Sequence, residues 1–548
     1  MDIGSDGWRG PRALGLMNAR VMTPTGTAER VDRNLLRAEA VLIRGETIEA
    51  VGSNEEIRHR AGIDAELVDL HGRAIVPGFI DAHIHPIFYG LSLQGVACLP
   101  PRVASIVDLQ REVRARVAAT PDGEWIWGQG YDDTRLRERR HPTRHDLDEA
   151  SGGHPVVLTR VCGHMCVANS KALELAGVDA STVDPPGGSI QRDGSGRPTG
   201  LLLETAEQLV LRFVSSGREA VLSALERVSD DLLRRGVTAC CDAWLGYSEG
   251  AAEYGIWTEA LRSGRFRPRV SFLVHHELWR ETPNLAEAAA ELDVLGVKLV
   301  ADGSISGGSA GLEEPFAGPD DQRLFVFDAE ELAGICADVR AQGLTVAIHA
   351  MGDRTISMAL DALERSRSAL TPEARGSDRI EHCTLPSERD VRRMARMGVM
   401  PVMQPIFLFA EGEAYLAGLG DRRSMRANPA REMIDAGVRV AMSSDAPATT
   451  WSEPTDVMLA IQASVVRRTW KGSSLGTQQA TTVEEALIAY TANAAHAAGL
   501  GRLGSLGAGR QADLAVLSDD PTRVPVEEIR DVQVTATLLA GEVVSGEL

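Results

Sequence analysis

Eight short apolar segments, each followed by a stretch of helical character, constrain this chain more than any other feature. They are Ile75–His85, Val237–Asp242, Arg269–His276, Val297–Asp302, Leu344–His349, Arg379–Cys383, Val399–Gln404 and Val438–Asp445. Strands that alternate with helices call for a parallel sheet with helices on its faces. Eight such units is the number that closes a (β/α)8 TIM barrel. The second to eighth strands follow one another at ordinary βα intervals, but the first and second are about 150 residues apart, far more than one crossover needs. An insertion is therefore expected at about residues 87–223, with Gly-rich patches at Gly128–Gly130 and Pro185–Gly188. Loops after barrel strands open on the active-site face, so this insertion is expected to cap the barrel mouth.

The two ends of the chain have a different texture. Leu14–Thr23, Ala40–Ile43, Thr47–Val51 and Ala65–Asp69 alternate apolar and polar residues, as do Ala512–Leu517 and Val532–Val544, where Gly541-Glu542 suits a hairpin turn. The organisation expected is an α/β fold. Residues 1–73 and 503–548 form a small β-sandwich domain and residues 74–502 the barrel that carries the insertion.

Charge and cysteine content narrow the partners. The formal net charge is −20, a field that repels phosphate backbones and gives no support for an anionic membrane. The expected partner is a small-molecule substrate. The seven cysteines are irregularly spaced and form no paired Cys-x-x-Cys motif, so they read as reduced thiols of a cytoplasmic protein. Met1–Gly15 lacks the basic and apolar regions of a signal peptide, and no apolar run reaches the ~18 residues of a membrane helix.

The chemistry is concentrated at strand ends. Asp81-Ala82-His83-Ile84-His85-Pro86 puts two histidines at i and i+2 of a strand, on one face, where neutral imidazoles can share a metal ion. A bare His-x-His is more often structural; its place at the end of the first barrel strand gives it weight. Lys298 lies on the fourth strand, His349 ends the fifth, His382 lies on the sixth and Asp445 ends the eighth. Each alone is bland, an Asp after a strand being usually a helix cap. Their joint occurrence at the catalytic rim is hard to explain as packing. An ammonium at Lys298 would repel a dication, and carboxylation by CO2 would turn it into an anionic bridging ligand. The alternative is a salt bridge to Asp302 or another acid. Weaker candidates for substrate contact are His164, His276, Arg354 and Glu204. Arg354 could instead pair with Asp353 or Glu381, and Glu204 could sit on a solvated helix. Cys240-Cys241 reads as packing beneath the rim.

These motifs carry a family resemblance. Val76-Pro77-Gly78-Phe79-Ile80-Asp81-Ala82-His83-Ile84-His85 resembles the signature that opens the amidohydrolase superfamily. Val297–Ser304, His349–Arg354 and Arg379–Cys383 resemble segments of its family 3, the group of N-substituted formamide deformylase-like proteins. Ser443-Ser444-Asp445-Ala446-Pro447 resembles the closing aspartate motif, and Gly504–Leu514 the return into the small β-domain. Within the insertion, Trp127–Asp133, His141–Asp148, Gly163-His164 and Ala168-Asn169-Ser170 are similar to family 3 as well. Ser306-Gly307-Gly308 departs from the usual residues, which leaves substrate choice open.

The resemblance implies a binuclear centre of two divalent ions, zinc by default. His83 and His85 would hold the buried metal, carboxylated Lys298 would bridge, and His349 and His382 would hold the outer metal. Asp445 would touch the buried metal and act as general base. A metal-activated hydroxide would then cleave a C–N bond of amide type. It also implies that dimers are common among relatives. The alternatives are ester, lactone or C–C chemistry at the same site, a mononuclear deaminase, and a non-catalytic scaffold. A scaffold predicts lost ligands. A mononuclear deaminase predicts a His-x-x-Glu pattern near the fifth strand and no lysine on the fourth, whereas the sequence reads His349-Ala350-Met351-Gly352 and keeps Lys298.

Overall fold

Apolar runs buried on both sides become the eight strands of one parallel sheet, in sequential order. In the computed structural model they are β1 (Phe79–Ile84), β2 (Val237–Leu245), β3 (Arg269–His275), β4 (Val294–Val300), β5 (Thr345–Ala350), β6 (Arg379–His382), β7 (Met400–Met403) and β8 (Ala441–Met442). The structure describes residues 13–26, 31–63, 65–133, 135–161, 165–185, 188–214, 217–317, 323–369 and 377–548. β8 returns to β1: the Asp445 N–H donates to the His83 carbonyl at 2.9 Å and the Ser444 N–H to the Asp81 carboxylate at 3.0 Å. Small residues (Ala82, Ala239, Cys241, Ala347, Ala441) pack with Leu273, Leu295, Met400 and Val402 as one cluster. Ala494, Ala495 and Ala497 of the helix Ala492–Ala497 join it. Such a barrel is a packed core, not a pore.

Two expected strands are broken where the chain changes sheet. Ile75–His85 divides at Gly78. Ala74–Pro77 pairs antiparallel with Leu514–Leu517, and β1 begins at Phe79. A Cβ on Gly78 would stand 2.0 Å from Thr238 Oγ1, so only glycine allows this approach to β2. Leu14–Thr23 likewise divides at Asn18, whose φ of 52° turns Ala13–Met17 into one sheet and Arg20–Gly26 into another. The last barrel strand is also shorter than expected: regular pairing covers Ala441–Met442, and Asp445 lies beyond it with φ 55°.

Both chain ends build the flanking β-structure. One sheet has four strands from the N-terminal section. The other has six, ordered Glu542–Gly546, Val534–Leu539, Leu514–Leu517, Ala74–Pro77, Arg20–Gly26 and Val31–Ala38. Leu16, Val41 and Ile43 of the first share a core with Val21, Ile75, Leu514, Val516 and Leu538 of the second, as in a β-sandwich. Arg269 at the start of β3 pairs with Asp513 at 2.7 Å, tying barrel to sandwich. The C-terminal hairpin turns at Ala540-Gly541, one residue earlier than expected.

Contacts divide the chain into two compact units. One takes in the described chain up to His85 with Ser229–Asp445 and Thr455–Leu548; the other is Pro86–Val228 with Ala446–Pro454. The second has its own six-stranded mixed sheet, ordered Gly188–Arg192, Pro198–Glu204, Met165–Ala168, Val156–Arg160, Ile126–Tyr131 and Val96–Ala97. Apolar clusters cover both faces, one around the helix Ile106–Val117 and one around Ser170–Ala176. The motif Ala168-Asn169-Ser170 serves this packing. Buried Asn169 accepts the Val156 and Ala172 N–H groups at 2.9 Å, capping the helix and fixing the strand. Among the described residues no helix is long and apolar enough to cross a membrane.

Candidate metal centre

Parallel strands deliver their C-terminal ends to one rim, and five of the strands bring polar side chains there. His83 and His85 come from the end of β1, Lys298 from β4, His349 from β5 and His382 from β6, with Asp445 just past β8. The structure brings all six together. His83 Nε2 and His85 Nε2 lie 3.2 and 2.9 Å from Asp445 Oδ1, and one ligand atom from each of these residues falls within 4.8 Å of the others. Lys298 Nζ is 3.4 Å from His83 Nε2. The His382 ring lies 5.0 Å from that of His83 and 4.4 Å from that of His349. Backbone strain accompanies the cluster: His382, Cys383 and Asp445 have φ of 67°, 44° and 55°. Such conformations cost about 1–3 kcal/mol each and persist where surrounding structure over-determines them.

The protein orients three of the four imidazoles, each through one ring nitrogen. His83 Nδ1 meets Glu381. His382 Nδ1 meets Gln404 Oε1 at 2.8 Å, and His349 Nε2 meets the Gly303 carbonyl at 3.1 Å. Second partners of this kind fix ring orientation in metal sites. Asp445 Oδ1 is buried and takes no hydrogen bond, although two imidazole nitrogens lie close. Three donor atoms that converge in this way fit a cation. A carboxylate, four imidazoles and a buried amine are donors that a divalent transition metal accepts.

The charges agree with that reading. Burial opposes ionisation of Asp445, but His83 above all, then His85 and His382, hold its carboxyl well below the usual range. Burial lowers His85 against the pull of Asp445. Burial also lowers Lys298, against the attraction of Glu381 and Asp445, which favours the neutral amine. Asp302 is not its partner. That carboxylate accepts the N–H groups of Gly311 at 2.9 Å, Met351 at 3.0 Å and Gly352 at 2.9 Å, which orders the loop after His349.

A pH effect follows. Burial above all pushes His349 down to about 4. Burial, then His349, drives His382 well below its ordinary value. An unfolded histidine titrates near ~6.5, so below that pH the unfolded chain binds protons that the folded chain refuses. Stability of chelator-stripped protein is therefore lost as pH falls from about 6.5 to about 4, by about 3 kcal/mol for His349. Urea unfolding at the two pH values measures this, and a His349→Gln variant should lose less. An identical pH slope in that variant would rule the effect out.

The weaker candidates fare differently. β3 ends at His275, one residue earlier than expected, and a one-residue shift changes which face a side chain takes. His275 is in register with Lys298. His276 instead opens the helix His276–Glu281 and packs against Trp279 and Phe327, with ring centroids 6.2 and 5.7 Å away. Arg354 is exposed and stacks 4.6 Å over the Phe325 ring; the Glu381 oxygens go to Arg379 and His83 instead. Glu204 ends the strand Pro198–Glu204, not a helix, and its side chain lies outside the described part. His164 lies outside the described residues. Sequence reading passed over Arg379, Gln404 and His275. Of these, His275 had a signal, since tandem histidines at a strand end leave two registers open.

Comparison with known proteins is consistent along the chain. Residues 66–545 match the model of the amidohydrolase family. The sequence is 31% identical to the N-substituted formamide deformylase of Arthrobacter pascens, covering 97% of this chain and 98% of that one. It is also 31% identical to the putative amidohydrolase YtcJ of Bacillus subtilis (strain 168), over 93% of this chain and 96% of the relative. Among solved structures, an uncharacterized metal-dependent hydrolase from Pyrococcus furiosus aligns with a TM-score of 0.72 at 26% identity, over 93% of this chain and all of that one.

Proposed function

The chain belongs to the amidohydrolase family, hydrolases of carbon–nitrogen bonds other than peptide bonds, and from that premise we propose that it cleaves N-substituted amides of formyl or small acyl type. His83, His85, Lys298, His349, His382 and Asp445 would hold two divalent ions, with Lys298 carboxylated as the bridge. When bound, such ions polarise the scissile carbonyl and lower the pKa of the attacking water towards ~7. Asp445 accepts the proton of that water and passes it to the leaving nitrogen. Glu381 and Gln404 hold the His83 and His382 rings in place through Nδ1. The observation that carries the proposal is the approach of two imidazole nitrogens to Asp445 Oδ1, a buried oxygen with no hydrogen bond.

Elemental analysis of purified protein, followed by a screen of N-formyl and N-acyl amides with and without chelator, tests it. About two metal ions per chain and chelator-sensitive amide cleavage are expected. Metal-free protein with full activity would overturn the reading. With ¹³C-bicarbonate, a carbamate carbon resonance should appear in the parent and be absent in Lys298→Arg. Its absence from metal-loaded parent would remove the bridging role of Lys298 and leave the imidazoles and Asp445 in place.

A further inference from the structure

A pocket of about 210 Å³ lies among the outer helices of the barrel unit. Its walls come from the helices Pro405–Ser424 and Val457–Val466, the loop 468–472 and the turn Val526–Asp531. None of the six clustered side chains lines it. Leu459 and Val466 give it aliphatic surface, and Phe409 and Trp470 give it two aromatic rings. One cation and one anion complete the lining, Arg468 and Glu527, both exposed.

The loop that carries Arg468 and Trp470 is held by its neighbours. The buried Arg467 side chain at its start donates to the carbonyls of Leu475, Asn428 and Ala427 at 2.8, 3.0 and 2.6 Å. Thr469 Oγ1 donates to Glu413 Oε1 at 2.6 Å and accepts the N–H groups of Lys471 and Ser473 at 3.3 and 3.1 Å. The Trp470 N–H donates to the Phe409 carbonyl at 2.9 Å, which ties the loop to the helix Pro405–Ser424. The Lys471 ammonium, itself outside the lining, stands 5.0 Å over the Trp470 ring. Side chains held in this way lose little freedom when a ligand arrives.

Charge and shape together define the ligand. The chain has a formal charge of −20, yet among the described residues no acid pairs with the Arg468 guanidinium. A guanidinium of this kind matches the two oxygens of a carboxylate. Glu527 comes from another wall and repels an anion, which leaves Arg468 as the seat for it. The apolar lining calls for a ring, and paired aromatic side chains favour a planar one. A dry cavity of ~150 Å³ accepts benzene; the volume here leaves room for a short polar arm beside the ring. We propose that this pocket binds a small planar aromatic carboxylate, its ring against Phe409 and Trp470 and its carboxylate on Arg468. The site is separate from the metal centre and does not depend on which bond that centre cleaves.

Titration of 4-fluorophenylacetate into the purified protein, read by ¹⁹F line broadening, tests this. Saturable broadening with a Kd of about 1 mM is expected of so small a ligand. The uncharged 2-(4-fluorophenyl)ethanol should bind about tenfold more weakly. Arg468→Gln should weaken the acid about tenfold and leave the alcohol unchanged, whereas Trp470→Ala should weaken both. Glu527→Gln should tighten the acid alone. All three side chains are exposed, so the fold does not rest on them. A carboxylate also ligates metals, and for that reason the titration is repeated on chelator-treated protein. Binding that survives chelation and falls in Arg468→Gln supports the pocket. Binding that is lost on chelation and unchanged in Arg468→Gln would put the acid at the metal centre and overturn the pocket. Absence of saturation at about ten times the expected Kd would overturn it as well.

Discussion

An Asp445→Asn enzyme should bind its metals and turn over almost nothing. The side chain is isosteric and keeps one carbonyl-type oxygen where Oδ1 stands, 2.9 Å from His85 Nε2 and 3.2 Å from His83 Nε2. The four histidines and Lys298 would remain to hold metal. What disappears is a group able to take a proton, since an amide nitrogen donates and its oxygen is a very weak base. Loss of a positioned general base costs about 10²–10⁴ in rate. Because the same group would deliver the proton to the leaving nitrogen, the loss falls on kcat and kcat/KM together, with KM little changed. Metal content measured on the same sample separates this outcome from ligand loss. An Asp445→Asn variant that kept more than about a tenth of parental kcat, with metals bound, would exclude Asp445 as the base.

The six clustered side chains were legible in the sequence because each sits at or near the end of an apolar strand or, for Asp445, just past one. A periodic pattern fixes such an end to within a residue or two. That tolerance did no harm at His83 and His85, which lie two apart on one strand. It did harm at His275-His276, where one residue decides between the face shared with Lys298 and the layer of Trp279 and Phe327. The sandwich was legible as alternation, but not the change of sheet at Asn18 or Gly78, since both depend on where a distant partner lies. The sheet of the second unit escaped for the same reason: its strand order departs from sequence order, with Pro198–Glu204 between Gly188–Arg192 and Met165–Ala168. Arg379 and Gln404 read as ordinary polar residues in strands. Their roles depend on partners far away in sequence as well, Ala82 and Ala497 for Arg379, Ser443 for Gln404.

Arg379→Met should be the most destabilising single change near the site. The Arg379 side chain is fully buried. Its Nε donates to Glu381 Oε1 at 2.6 Å, and Nη2 donates to Glu381 Oε2 and to the Ala82 carbonyl, both at 2.8 Å. Nη1 reaches the Ala497 carbonyl at 3.1 Å. One guanidinium thus joins β6, β1 and the helix Ala492–Ala497, while Glu381 passes the constraint on to His83 Nδ1. Burial opposes ionisation of Glu381, but Arg379 first and His83 second hold its carboxyl well below the usual range. Methionine fills most of the space and removes the charge, which strands a buried carboxylate and leaves two carbonyls without donors. Breaking one side of a buried pair costs about 3–5 kcal/mol. In the parent, the stability that comes from the depressed Glu381 pKa is present above the unfolded value and lost as pH falls below it. The deficit of Arg379→Met should therefore be largest at neutral pH and shrink below about pH 4.5. Adding Glu381→Gln should restore part of the loss, because removing both partners is milder than stranding one. Metal affinity of the single variant should fall about 10–100-fold as His83 loses its fixed orientation. Urea unfolding of chelated protein at pH 7 and pH 4, with metal titrations alongside, measures each effect. A neutral-pH loss under about 1 kcal/mol, or a double variant worse than Arg379→Met, would mean that Arg379 packs without holding the site.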